Sequence, residues 1–273
     1  MWFPDRPAAH LSTGQALALG ALHGPAELLP ISSSGHVEIV PWLCGWRYAA
    51  LDPDLRKSFE VALHAGTAAA LLITLRAELR ESLHGLDSRL LAVFALACIP
   101  PAIAGYAFER AIERHLGSPS TIAAGLLAGA LAMASADLAA QIRRYEEAAP
   151  VDGAWLGLAQ ACALIPGVSR NGATLAVARA RRFQRRDASR LSRHVGLPVI
   201  AGAAVLKGLR LRAGGLPATA RTAFAVGAIA AFASTLACGS LIRHAERGRS
   251  LWPYAIYRAA LAGIVTAKLR AAR

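Results

Sequence analysis

Apolar residues in this chain come in blocks separated by short basic loops, not in stripes at helical spacing. Six blocks, residues 59–75, 90–108, 121–140, 188–207, 222–242 and 252–268, are read as long enough to cross a bilayer, which takes roughly 20 residues of helix. Ala and Gly are frequent inside them, as in GLLAGALAMASA at 125–136, and small residues let helices pack closely where lipid gives no hydrophobic drive.

Two further stretches are interrupted. Residues 12–46 hold a half-length helix ending near His23, the break GPAELLPISSSG, and a second half-length helix from His36. Residues 154–181 repeat the design around PGVSRNG. Irregular backbone persists at membrane depth only where protein or a water-filled cavity satisfies its polar groups. Each stretch is therefore expected as a re-entrant hairpin. A broken hairpin followed by spanning helices occurs twice, which points to an inverted repeat with a site between the halves. The expected fold is an all-α integral membrane protein, one polytopic domain over residues 1–273, with about six transmembrane helices and two re-entrant helical hairpins. Lys and Arg are balanced between the two sets of loops, so the positive-inside rule gives no orientation.

Composition sharpens this picture. Hydrophobic residues make up 55% of the 273 positions and the net charge is +13. The basic residues lie mostly between apolar blocks, as expected beside anionic membrane lipids, and no zinc-finger, basic-zipper or RNA-binding pattern supports a nucleic-acid partner. Cys44, Cys98, Cys162 and Cys238 are isolated in apolar stretches and are expected as small buried residues. The first residues show no signal-peptide pattern.

The breaks carry the chemistry. In PGVSRNGAT, Arg170 stands in an apolar region, where an arginine costs at least ~2.5 kcal/mol on insertion scales. Gly167 and Gly172 let backbone N–H groups approach an anion, and a helix beginning near Gly172 would aim its positive end there. Ser169, Asn171 and Thr174 add neutral donors, so the segment suits a phosphate. The bland alternative is a glycine-rich turn with Arg170 snorkelling to water. In the first break, Glu27 offers a carboxylate for a cation or a proton. Ser32, Ser33 and Ser34 offer a nucleophile or phosphate donors, and His36 an acid, base or attacking nitrogen. Elsewhere, Glu60 and His64 lean to a structural role, and Arg190, Arg193 and His194 to a solvated or headgroup-facing one. Glu38 is expected to reach headgroups, and Gln160 to line the pocket or bridge helices.

AELLPISSSGH and LIPGVSRNGAT resemble the two signature motifs of the undecaprenyl-diphosphate phosphatase family of the bacitracin-resistance type. The similarity continues through FEVALHAGTAAAL, ASRLSRHVGLPVIAGA and WPYAIYRAALAG, nearly the whole chain. The resemblance implies a multi-pass enzyme of the bacterial plasma membrane. It would hydrolyse undecaprenyl diphosphate, a polyprenyl diphosphate lipid, to the monophosphate and phosphate, regenerating the carrier for cell-wall synthesis. A divalent cation, Mg²⁺ or Ca²⁺, is expected as cofactor, and a homodimer is compatible with the reading.

Position by position, the resemblance carries over Glu27, Ser33 and His36 from the first motif and Ser169, Arg170 and Thr174 as the phosphate-binding residues of the second, and leaves open whether serine or histidine attacks. With the residue chemistry above, Glu27, Ser33, His36 and Arg170 are the expected catalytic set. Ser32, Ser34, Gly167, Ser169, Asn171, Gly172 and Thr174 would bind the phosphate, and Glu27 would hold the metal, with His23 as a candidate second ligand. Members of the family usually carry Glu or Gln at the place of His23 and serine at the place of Asn171. Pro25, between His23 and Glu27, argues against one continuous helical turn joining them. The rival reading is a polyprenyl-phosphate flippase or transporter, or a catalytically weakened paralogue that only binds lipid phosphate.

Overall fold

The computed structural model describes residues 11–214, 218–240 and 250–272. Among them are eleven α-helices and two short 3-10 turns, with no strand beyond an isolated bridge between Arg143 and Phe183. The broken hairpins are α1 (Thr13–Leu28) with α2 (Ser33–Leu43), and α7 (Pro150–Cys162) with α8 (Arg170–Ala180). The six long blocks become α3 (Pro53–Thr74), α5 (Ser88–His115), α6 (Pro119–Asp137), α9 (Arg185–Gly214), α10 (Ala218–Ala237) and α11 (Trp252–Ala271). A short helix, α4 (Arg76–His84), follows α3. The expected end of the fifth block at Ile242, the loop after it and the reading of the first ten residues as free of a signal peptide lie outside the described residues.

Local chemistry sets the helix starts. Ser12, Ser32, Asp52, Asp87, Ser118 and Ser169 each accept the backbone N–H three residues on, taking up a donor that the first turn leaves orphaned. Proline opens α3, α6, α7 and α11, where its missing N–H costs nothing. Two boundaries differ from expectation. Helix α1 runs through Pro25 to Leu28 without a break, so His23 and Glu27 do share one helix face. Helix α8 starts at Arg170, because Ser169 caps it, two residues before the expected start.

Three helical segments, Ser88–Phe108, Pro119–Asp137 and Thr219–Ala237, are long and apolar enough to cross a bilayer. Helices α3, α9 and α11 have the length but carry polar residues that face inward: Glu60, His194 and Arg258 are all buried. Ile103, Leu131, Ile229 and Ile264 instead cover the outer surface. The cysteines correct the sequence reading: all four are free, none is buried, and Cys44 and Cys162 are exposed at the ends of α2 and α7. Cys98 and Cys238 are half-buried, Cys238 against the cluster of Leu28, Leu71 and Leu197.

The two halves repeat their packing partners. Helix α1 packs on α10 as α7 packs on α5, α3 packs on α10 as α9 packs on α5, and α3–α9 and α6–α11 pair corresponding helices of the two halves. Two cores result, each with residues from both halves of the chain. Leu19, Phe59, Leu63 and Phe224 fill one, and Val93, Leu156, Phe183 and Leu191 the other. Close approach depends on small residues in both. A Cβ on Gly20 would meet the Gly227 carbonyl at 2.3 Å, and one on Gly153 the Val93 carbonyl at 2.4 Å. The hairpin tips therefore meet in the middle of a paired scaffold.

Candidate active site

Both hairpin tips end in a serine with left-handed backbone, Ser32 at φ 77° and Ser169 at φ 67°. L-residues adopt this conformation rarely, and such strain persists where the surroundings enforce it. The two hydroxyls accept from Gly35 N–H at 3.3 Å and Gly172 N–H at 3.1 Å. Helices α2 and α8 thus begin abruptly with Ser33 and Arg170. Both reach the same carboxylate at the end of α1. Ser33 Oγ donates to Glu27 Oε2 at 2.5 Å, and Arg170 Nη2 donates to Oε1 at 2.7 Å. The Glu27 side chain is only 8% exposed, so this pairing of two hairpins through one carboxylate is screened little by solvent.

A second group faces Glu27 from α1 and α3. His64 Nε2 lies 3.7 Å from Glu27 Oε2, while its Nδ1 is 2.9 Å from the Glu60 carbonyl. His23 is fully buried, with Nδ1 2.9 Å from Thr67 Oγ1, and its Nε2 has no hydrogen-bond partner among the described residues. One donor atom from each of His23, Glu27 and His64 falls within 4.8 Å of the others. Mg²⁺ and Ca²⁺, the cations implied by the resemblance, prefer oxygen-rich shells. Two imidazoles and one carboxylate are a different donor set, suited to a transition ion.

The other expected site residues divide. Asn171 donates to the Leu28 carbonyl at 3.2 Å and accepts from Ser192 at 3.0 Å, so the departure at this position fastens α8 to the end of α1 and to α9. Thr174, fully buried, has its hydroxyl against the Arg170 carbonyl and Ser192 Oγ. Gly172 spends its N–H on the Ser169 cap. Gly167 has φ 93°, and a Cβ there would come within 2.3 Å of the Ile122 carbonyl. Ser34 is half-buried in the first turn of α2. His36 is held apart from the Glu27 contacts. Its Nδ1 is 2.7 Å from the Ser32 carbonyl and its Nε2 is 2.6 Å from the Tyr257 hydroxyl, with the rings stacked.

Sequence reasoning missed several contributors. Arg258 on α11 is completely buried, and its guanidinium donates to Gly167 O and Val168 O at 2.8 Å each and to Pro30 O at 3.4 Å. It holds both tips. The signal was present: an arginine in the apolar stretch WPYAIYRAALAG carries the same insertion penalty as Arg170. Tyr257, Thr67 and Ser192 gave no comparable signal. His64 belongs to the site, while Glu60 pairs with Lys57 at 2.7 Å. Contrary to the solvated or headgroup-facing role expected from sequence, Arg193 and His194 turn inward onto Glu78, each at 2.9 Å. Glu38 pairs with Arg56, and Gln160 bridges α5 and α9 by donating to the Ala97 and Val195 carbonyls.

A cleft opens beside Glu27, Arg170 and Asn171. Leu71, Leu75, Leu197 and Ile200 give it an apolar side, and Arg179, Arg185 and Arg193 also border it. A charged end joined to an apolar wall suits an amphiphile that carries an anionic head.

The family model described as Bacitracin resistance protein BacA matches residues 16–264. An undecaprenyl-diphosphatase of Geobacter sulfurreducens is 39% identical over 268 residues, covering 93% of this chain and 97% of the relative. Proteins of the same name from Pelobacter propionicus and Rubrobacter xylanophilus are each 36% identical, covering 92% and 93% of this chain and 94% and 97% of their own lengths. With its three long apolar helices, the chain is a membrane protein. It belongs to the bacitracin resistance protein BacA family.

Proposed function

We propose that the chain is a membrane phosphatase that hydrolyses undecaprenyl diphosphate to undecaprenyl phosphate and inorganic phosphate, recycling the lipid carrier for cell-wall synthesis. The observation that carries this reading is the single carboxylate, Glu27, bonded both to a serine hydroxyl and to an arginine fork from opposite hairpins. The names of the relatives point to the same substrate. In this reading the two hairpins re-enter, the six long helices cross the bacterial plasma membrane, and the prenyl tail lies along Leu71, Leu75, Leu197 and Ile200.

Glu27 accepts the proton of Ser33 Oγ as that oxygen attacks the terminal phosphorus, the bond to the bridging oxygen breaks and undecaprenyl phosphate leaves. Taking the proton neutralises the carboxylate beside the incoming anion. Water then attacks the phosphoserine, Ser33 Oγ leaves with the proton held by Glu27, and inorganic phosphate carries away the protons of the water. Arg170, released from Glu27, presents its planar fork to the phosphoryl oxygens, and the start of α8 adds its positive end. Charge that builds on the transferring group is thus met by donors already in place. His36 acts as a positioning residue, since both its ring nitrogens are engaged and one of them faces the carbonyl of the strained Ser32.

The test is phosphate release from undecaprenyl diphosphate by the purified protein in detergent. The wild type should turn over, Ser33→Ala should lose at least a hundredfold in kcat, and His36→Asn should lose clearly less. No release by a folded wild type would overturn the phosphatase reading. Equal loss in the two variants would remove Ser33 from its place as nucleophile.

A further inference from the structure

We infer that His23, Glu27 and His64 form a two-histidine, one-carboxylate site for a divalent first-row transition ion, selective against Mg²⁺ and Ca²⁺. The ligand set follows from the fold. His23 and Glu27 are four residues apart on the continuous helix α1, so their side chains stand on one face. His64 meets them from α3, its Nε2 turned to Glu27 Oε2 at 3.7 Å.

Both imidazoles are prepared as ligands. His64 directs Nδ1 to the Glu60 carbonyl at 2.9 Å, which places its proton there and leaves the Nε2 lone pair toward Glu27. His23 directs Nδ1 to Thr67 Oγ1 at 2.9 Å, and Thr67 is itself 3.4 Å from Thr235 Oγ1. A ring nitrogen held by a polar partner while the other coordinates is the usual outer shell of a metal-bound histidine. The remaining nitrogen, His23 Nε2, is fully buried with no hydrogen-bond partner among the described residues. Burying a polar atom unpaired is unfavourable, and a cation that takes its lone pair removes that cost.

The spacing fits with a small closure. The three donor atoms lie within 4.8 Å of one another, and tetrahedral ligands at about 2.1 Å from zinc sit about 3.4 Å apart. The side chains would draw in by about 1 Å. Two neutral nitrogens and one carboxylate favour ions toward the copper and zinc end of the divalent series, whereas Mg²⁺ and Ca²⁺ look for oxygen. Because Glu27 also bonds Ser33 and Arg170, the ion would stand beside the phosphoryl site. Its relevance to turnover rests on the phosphatase reading, whereas its binding does not.

The experiment uses metal-stripped full-length protein in detergent, with Co²⁺ as a spectroscopic probe and Zn²⁺ as competitor. One Co²⁺ per chain should bind with ligand-field absorption bands, Zn²⁺ should displace it, and a hundredfold excess of Mg²⁺ or Ca²⁺ should not. X-ray absorption on the wild-type Co²⁺ or Zn²⁺ complex should show two imidazole ligands, a readout that needs no variant to fold. His23→Gln and His64→Gln should each weaken Co²⁺ affinity at least tenfold, and Thr67→Val about tenfold. His23→Glu should shift preference toward Mg²⁺.

Absence of stoichiometric Co²⁺ or Zn²⁺ binding would overturn the site, as would displacement by equimolar Mg²⁺ or no imidazole in the absorption spectrum. The two readings fail separately. Bound Co²⁺ without phosphate release would sink the phosphatase and keep the metal site. Full phosphate release with no affinity for Co²⁺ or Zn²⁺ would do the reverse.

Discussion

The tips of the two hairpins share a backbone and differ in chemistry. SSSG at Ser32–Gly35 and SRNG at Ser169–Gly172 both place a serine at positive φ, cap a glycine N–H with its hydroxyl, and start a helix at the next residue. That next residue is Ser33 in one and Arg170 in the other. The first tip supplies a hydroxyl and the second a cation, and Glu27 collects both. A repeated scaffold thus delivers two side chains to one point from opposite directions, and divergence at the first helical position, Ser33 against Arg170, divides the labour. The same logic holds behind the tips. At the foot of the first, Asn171 reaches across to the Leu28 carbonyl, and Arg258 binds carbonyls of both loops.

The largest effect is expected where the tips differ. Arg170→Lys keeps the charge but loses the planar fork, and a transition-state contact worth ~3 kcal/mol slows phosphate release by roughly a hundredfold. A rate near wild type would make Arg170 a mere counter-ion for Glu27.

A smaller effect is expected where one residue serves both. Arg258→Met leaves buried carbonyls in both loops unpaired and should lower stability by about 2 kcal/mol, read as a drop in Tm in detergent. Hydrogen exchange should then speed up in residues 29–32 and 165–169 alike. Loosening of one loop alone would mean the tips are held independently.

Where the tips agree, they should respond alike. Ser32→Ala and Ser169→Ala each remove a cap worth about 1 kcal/mol while keeping a side chain at positive φ. The glycine variants relieve that backbone strain and should cost less. Thermal melts of the four variants test the equivalence, and opposite rankings at the two positions would break it.

A further effect, read only at low pH, is expected on α4, away from the hairpin tips. Burial alone would raise the Glu78 carboxyl, but hydrogen bonds from His194 and the charge of Arg193 overcome this and hold it at about 2, below an ordinary value of 4.5. A depressed carboxylate gives stability that is complete above its unfolded value and lost as pH falls through the folded one. The attachment of α4 to α9 should therefore weaken between pH 4.5 and about 2, and Glu78→Gln should flatten that part of a stability profile measured in detergent. An unchanged profile would remove this contact from the packing of α9.

The sequence made the six long helices and both breaks legible because apolar length and Gly/Pro/Ser punctuation are local properties. Glu27 and Arg170 stood out because ionisable groups are conspicuous in apolar surroundings, and Ser33 because it lies in a run of three serines in the first break. Arg258 carries the same signal as Arg170 in WPYAIYRAALAG, but its partners at both tips, 90 or more residues away, are set only by the fold, and the 37 residues between Glu27 and His64 follow no spacing rule that links them. Pro25 misled in the other direction. Pro25 removes the N–H that would bond the carbonyl one turn earlier, yet α1 continues past it, and the Leu29 N–H closes the last turn onto the Pro25 carbonyl at 3.0 Å. Arg193 and His194 read as surface residues by type, and only the position of α4 turns them inward onto Glu78.

The central claim is that Ser33, Glu27 and Arg170 act as one unit across the two hairpins, and a double-mutant cycle on phosphate release tests it most directly. Ser33→Ala, Arg170→Lys and the double variant would be compared in purified protein of verified fold. Groups that work as a unit are strongly non-additive, so the double variant should be little slower than the worse single variant. If the two losses multiply, the hairpins contribute independently and Glu27 does not couple them.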